Sequence, residues 1–199
     1  MTPTLHIHGP IGEGENTPPA VAAFLRANAG QPVCMVVNSF GGIASDGAAI
    51  MALLEQHGQV RAEVMGVAAS AASLLVMGAA QIAVHSAAHL MIHEPSNLAW
   101  GTAEDLRREA ANLDKLADTY ATAYSQATGQ PLTRIRAWMA AETWLTAEEA
   151  RALHFCDEVF GDVHAAEPVA AFDYTRFKAP PPELLRKAGQ GQWANAGAA

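Results

Sequence analysis

The chain has 199 residues, half of them apolar and 16% charged, with a formal net charge of -8. That length suits one compact domain, and that composition excludes a largely disordered polymer. Net acidity with twelve scattered Lys and Arg residues excludes a nucleic-acid surface, which needs clustered cations to neutralise phosphates.

Thr4 to His8 alternates apolar and polar residues and stops at Gly9-Pro10, which predicts a first strand closed by a turn. Pro18 to Ala29 predicts a helix: Pro19 suits its first turn, Val21, Phe24 and Leu25 share a face, and Gly30 stops it. Val33 to Val37 is a continuous apolar run, the pattern of a strand buried on both faces and paired in parallel. After the turn Asn38-Ser39-Phe40-Gly41-Gly42, the positions Ala48, Ile50, Met51, Leu53 and Leu54 make a second helix, and Arg61 to Gly66 makes the next strand. A helix within Ala69 to Gly78 and strands at Ile82 to Val84 and Leu90 to Ile92 continue the alternation. Such a series predicts an α/β layered domain, with helices covering a mostly parallel sheet.

The twenty-one residues from Val64 to Val84 carry no charge, long enough for a membrane span. Their Ala, Gly and Ser content, with polar Ser70, Ser73 and Gln81 among them, predicts a buried strand, turn and helix instead, and no membrane partner. From Thr102 a capping pattern with Asp105 opens a long helix over about 102–127, with Leu106, Leu113, Leu116, Tyr120 and Tyr124 as its apolar positions. A helix of that length, roughly 37 Å, outreaches a small globule, so part of it is expected to project against another subunit. Gly129-Gln130-Pro131 ends it, a short helix follows over Leu132 to Met139, and Thr146 caps another over Ala147 to Leu153. Residues 1–177 read as one domain and 178–199, rich in Ala, Pro and Gly, as a mobile tail with a helical turn at Pro182 to Lys187. The N-terminus shows no secretory signal, and Cys34 and Cys156 sit in apolar runs as reduced thiols; both point to the cytoplasm.

Two residues stand where chemistry is available. Ser70 falls where a buried strand gives way to a small-residue helix, whose first N–H groups are unpaired and favour negative charge. On its own such a serine is usually an N-cap, and the segment lacks the G-x-S-x-G pattern. His93 closes a strand just before Glu94-Pro95, and strand ends of open sheets are where active sites gather. A histidine there can take and return a proton near neutral pH, although a lone histidine is more often structural. His89 and His93 share a strand face, yet no third ligand accompanies them, so no metal is expected. Gly41-Gly42 lets backbone approach a bound substrate closely. It is no phosphate loop, because the P-loop and dinucleotide patterns are absent, and no cofactor is implied.

Taken together, Asn38-Ser39-Phe40-Gly41-Gly42, Gly66-x-Ala68-Ala69-Ser70 and Met91-Ile92-His93-Glu94-Pro95 resemble, in order, the turn, nucleophile and histidine segments of the ClpP family of self-compartmentalising serine peptidases. The long helix ending at Thr128-Gly129-Gln130 resembles that family's handle helix, and Trp144-Leu145-Thr146-Ala147-Glu148-Glu149-Ala150 its Phe-Leu-Ser-Ala-x-Glu-Ala block. The resemblance covers roughly residues 4 to 162. It implies a ClpP/crotonase-like fold of layered β-α repeats with a projecting handle helix. It also implies Ser70 as nucleophile, His93 as base, and the N–H groups of Gly41 and Ala71 as the oxyanion hole. Gly42, Ile43 and Ser96 would flank an extended peptide or protein substrate. Glu142 stands where the family has its usual Asp, one methylene longer, with Asp157 and Asp46 as fallback carboxylates.

The resemblance further implies a homo-oligomer, a heptameric ring that could stack on a second one through the handle helices. The chain starts almost at its first strand, without the family's preceding segment, so docking to a Clp ATPase is not expected. Its Glu142 to Ala150 wording looks most like the ClpP-related head-maturation proteases of phages and prophages, which trim capsid or scaffold protein in the host cytoplasm. Two other readings stay open: a crotonase-like acyl-CoA enzyme, which keeps the oxyanion hole without the Ser-His pair, and a catalytically silent ring-forming assembly protein.

Overall fold

A computed structural model describes residues 1–161 and 177–182. Three strand-helix steps open the chain: β1 (Thr4–His8), α1 (Pro18–Ala27), β2 (Val33–Ser39), α2 (Ala44–His57), β3 (Val60–Ala69) and α3 (Ala71–Val76). Then come β4 (Gln81–His85), β5 (His89–Ile92), α4 (Ala103–Thr128), α5 (Leu132–Ala141), β6 (Thr143–Thr146), α6 (Ala147–Ala152) and β7 (Glu158–Phe160). The sheet runs β1-β2-β3-β4-β7, all parallel, so the expected α/β layering holds.

The sheet forks at β3. Its first half, Arg61 to Val64, pairs with β4, and its last residues, Val67 to Ala69, pair in parallel with β5. β6 then adds antiparallel to β5. The fork frees the end of β3 from β4 and lays β5 beside it.

The main core lies on one face of the sheet. Ile7, Met35, Val37 and Val64 point into it, under Val21 of α1, Ile50 and Leu54 of α2 and Leu75 of α3, all with no measurable exposure. Each such side chain stabilises the fold by roughly 1.5–3 kcal/mol through lost apolar surface. Gly47 allows this closeness, since a Cβ there would stand 2.7 Å from the Ala71 carbonyl oxygen of α3. The expectation that Val33 to Val37 is buried on both faces needs correcting. β2 alternates, with Cys34, Val36 and Asn38 only half-buried, because the helices cover one face alone.

On the opposite face, under the end of β3, sits a second small cluster: Phe40, Val67, Ala69 and Met91, with Trp144 and Phe177 against it. Residues 67, 69 and 91 belong here while 68 and 90 belong to the main core, as the two-residue period of paired strands dictates.

α4 opens with a reciprocal capping box between Thr102 and Asp105 and closes at Gly129, whose φ of 70° ends a helix without a Cβ penalty. Its 26 residues span about 39 Å. Only Tyr120, Ala121, Tyr124 and Thr128 are buried, so the N-terminal turns, including Leu106 and Leu116, stand clear of the core. Among the described residues no helix is long and apolar enough to cross a membrane. Cys34 and Cys156 are free thiols, and burial pushes Cys156 up to about 11. The expected tail from residue 178 starts in contact with the domain, because the backbone N–H groups of Lys178 and Ala179 bond to Glu142. Residues 183–199, with most of the expected turn, lie outside the described residues.

Candidate active site

Ser70 follows the last residue of β3 and precedes the first of α3. Its φ of 56° and ψ of -126° are unusual for a residue with a side chain, a strain of about 1–3 kcal/mol that surrounding structure must hold. Two backbone bonds hold it, Ser70 N–H donating to the Met91 carbonyl at 2.9 Å and Leu74 N–H donating to the Ser70 carbonyl at 3.1 Å, and the Ser73 hydroxyl lies 2.8 Å from that same carbonyl. The hydroxyl of Ser70 caps no backbone N–H of α3. It lies 2.7 Å from His93 Nε2 instead.

His93 reaches that position through register. Ala69 stands opposite Met91 in the β3/β5 pairing, so Ser70 falls level with Ile92 and His93 is the next residue along. Burial lowers the proton affinity of the imidazole; Glu142 and Glu94 oppose that shift and the Lys178 ammonium adds to it. The ring is therefore neutral at neutral pH, with a nitrogen free to accept the serine proton.

Glu142 comes from the other side. β6 pairs with β5 so that Ile92 faces Thr143, and one step further Glu142 faces His93. Like Ser70 it has a positive φ, 54°, at the C-terminus of α5. Its carboxylate is buried, 5% exposed, and is held by three donors: Ala179 N–H at 2.8 Å and Trp144 Nε1 at 3.3 Å on Oε1, and Lys178 N–H at 2.8 Å on Oε2. No hydrogen bond joins it to His93 among the described residues, so it acts on the imidazole through its charge. Asp157 accepts from Ile82 N–H at 2.7 Å beside β4. Neither Asp157 nor Asp46 is among the charges acting on His93.

The glycine turn packs directly on Ser70. At Gly41, with φ 94°, a Cβ would stand 2.7 Å from both the Ala69 oxygen and Ser70 Cβ, and 3.0 Å from Ala71 N. The Gly41 N–H, expected in the oxyanion hole, has a partner of its own. Gly41 N–H donates to Ser39 Oγ at 3.1 Å, and that hydroxyl donates to the Gly9 carbonyl at 2.7 Å, so the group is used on the β1 side. The Gly41 carbonyl and Ile43 N–H also turn towards β1, both bonded to Ile11 at 3.0 Å. Those two bonds make Gly42 the bridge partner of Ile11, so its own N–H turns away from β1. Gly42 has no room for a side chain, since a Cβ would meet Ile11 O at 2.2 Å.

Ala44, Ser70, Ala71, Leu74, His93, Pro95, Tyr120 and Tyr124 enclose a cavity of about 20 Å³ beside the pair. Ile43 and Ser96 are exposed near its two ends in sequence, next to Ala44 and Pro95. A larger groove of about 780 Å³ by Thr128, Gln130, Arg151, His154 and Asp157 shares no lining residue with this cavity and offers no nucleophile hydrogen-bonded to a base among the described residues. Among those residues no three His, Cys, Asp or Glu side chains gather to hold a metal ion. Three contributors went unseen in the sequence. Ser73, in contact with Tyr124 and the Met91 carbonyl as well as Ser70, signalled itself only as a polar residue in an apolar run. Trp144 passed as part of a motif, and Phe177 as the last residue before a proline-rich stretch.

Residues 18–163 match the family model described as Clp protease. The chain is 32% identical over 143 residues, 69% of each sequence, to the ATP-dependent Clp protease proteolytic subunit 1 of Protochlamydia amoebophila (strain UWE25). A solved structure of a ClpP1 point mutant from Listeria monocytogenes superposes with a TM-score of 0.69 at 21% identity, covering 82% of this chain and 94% of that one, which shows the shared fold. The chain belongs to the Clp protease family, a family of serine peptidases.

Proposed function

We propose that this protein hydrolyses peptide bonds with Ser70 as nucleophile and His93 as general base. One observation carries the reading: the 2.7 Å contact between Ser70 Oγ and His93 Nε2 at a strained turn. Ser70 Oγ attacks the peptide carbonyl carbon while His93 Nε2 takes its proton. The N–H groups of Ala71 and Gly42 hold the oxyanion, Gly42 replacing its neighbour because the Gly41 N–H is already bonded to Ser39. The imidazolium then gives its proton to the leaving amine, and a water molecule activated by the same ring hydrolyses the acyl-enzyme. Glu142 supplies the negative charge that steadies the imidazolium.

Gly42, Ile43 and Ser96 flank the peptide, which lies extended across the cavity mouth. A homo-oligomeric ring with a shared chamber fits the exposed turns of α4, and trimming of capsid or scaffold protein is the finer assignment that the Glu142 to Ala150 wording supports. The hydroxyl-imidazole contact favours a peptidase over an acyl-CoA enzyme, for which such a pair has no use. The test is covalent labelling with a fluorophosphonate: the native protein is expected to label and Ser70→Ala to lose the label with its assembly state unchanged. Undiminished labelling of Ser70→Ala would remove Ser70 from the role.

A further inference from the structure

Resting on that peptidase reading, we infer that the segment Phe177 to Ala179, beyond the part of the chain matched as Clp protease, positions the acid arm of the active site. The backbone amides of Lys178 and Ala179 each donate to one oxygen of the Glu142 carboxylate at 2.8 Å. Together they grip it as a two-pronged fork. The Phe177 ring lies against His93 with centroids 6.2 Å apart, against Trp144 at 5.2 Å and against Phe40 at 6.2 Å. It thereby closes the small apolar cluster beneath the end of β3. One short stretch therefore touches the base, the acid and the acid's other donor.

Glu142 needs such a grip. Its side chain is one methylene longer than an aspartate, it leaves a backbone held at positive φ, and no bond to His93 fixes it. A buried carboxylate without donors would be costly, and a mobile one would act weakly on the imidazole. Two amides and one indole N–H satisfy it and fix its distance to His93. The cavity beside Ser70 and His93 is lined by other residues, so the segment backs the site from behind and leaves the substrate side open. The residues concerned are positioning residues, acting through Glu142 and His93.

The charges facing His93 are Glu142, Glu94 and Lys178, and Lys178 alone opposes the imidazolium. This gives a readout separate from stability. In full-length Lys178→Gln the amide is retained and the opposing charge is gone, so His93 binds its proton more tightly and the acid limb of kcat/KM moves to higher pH. Ala179→Pro deletes one amide donor, whereas Ala179→Gly keeps it. Losing a hydrogen bond to a charged group is expected to lower kcat about tenfold in the proline variant relative to the glycine variant, with KM within about twofold. Peptide turnover across pH, the melting temperature and fluorophosphonate labelling are measured together for all three. Equal kcat in the two Ala179 variants, or an unmoved acid limb in Lys178→Gln, overturns the inference. So does a rise in kcat in Ala179→Pro, which would make the segment a restraint on the site. If Ala179→Pro fails to fold, Phe177→Ala, which removes the ring packed on His93 and Trp144, is read in its place, and an unchanged kcat there overturns the inference. Failure of the native protein to label at Ser70 would instead sink the peptidase reading, and the two failures are told apart in one experiment.

Discussion

Ser70 and Glu142 are both non-glycine residues held at positive φ, 56° and 54°, yet they are held by different means. Ser70 sits on a turn whose neighbours Ala68, Ala69, Ala71 and Ala72 are all buried, and its backbone bonds go to residues between positions 73 and 91. Glu142 depends on donors at positions 144, 178 and 179, two of them far along the chain. Ser70 is thus set by the sheet itself, and Glu142 by a segment added around it. Strain survives on the first side through packing and on the second through hydrogen bonds to a charge.

If the nucleophile side is one rigid unit, Ser70→Ala and His93→Ala should each lower peptide turnover by about 10⁴-fold or more, and the double variant should be no worse than either. Additive losses in that cycle, read from kcat/KM, would break the unit into independent parts. A smaller loss is expected on the acid side. Glu142→Gln, which keeps the shape and removes the charge, should cost about 10²-fold in kcat, below the ~10⁴ typical where the acid bonds directly to the histidine. A loss as large as that of His93→Ala would show the carboxylate swinging onto the ring during turnover. The smallest effect tests the packing. Gly41→Ala brings a Cβ to 2.7 Å from the Ala69 oxygen and Ser70 Cβ at an unfavourable φ, and should destabilise the fold by about 1–3 kcal/mol. A melting temperature equal to that of the native protein would mean that the turn yields and that Ser70 is less firmly held than its contacts indicate.

The difference between the two sides also explains what was legible in the sequence. β1 was readable to the residue, because Leu5 and Ile7 alternate with exposed neighbours and Gly9-Pro10 ends the run. Thr102 and Thr146 announced their helices, since a capping box is local chemistry. β6 and β7, four and three residues long, carry too few positions for a period to show, and both exist because β5 and β4 offer them an edge. β2 looked buried throughout because Val36 and Cys34 are apolar, although the helices cover only the other face. Ser70 and His93 could be paired from their motifs. The engagement of the Gly41 N–H could not, because it turns on a hydroxyl at Ser39 that competes for it. Nor could the grip on Glu142, which joins positions more than thirty residues apart.

Ser73 has one proton and three oxygen neighbours: the Met91 carbonyl at 2.6 Å, the Ser70 carbonyl at 2.8 Å and the Tyr124 hydroxyl at 2.8 Å. It can give that proton to a single carbonyl, so the phenol of Tyr124, whose acidity burial suppresses, donates in turn to Ser73. α4 is thereby tied to the turn that carries Ser70 through the Tyr124 hydroxyl. The buried end of that helix therefore shares a chain of hydrogen bonds with the peptide unit on which Ser70 rides, while its outer turns take no part in it.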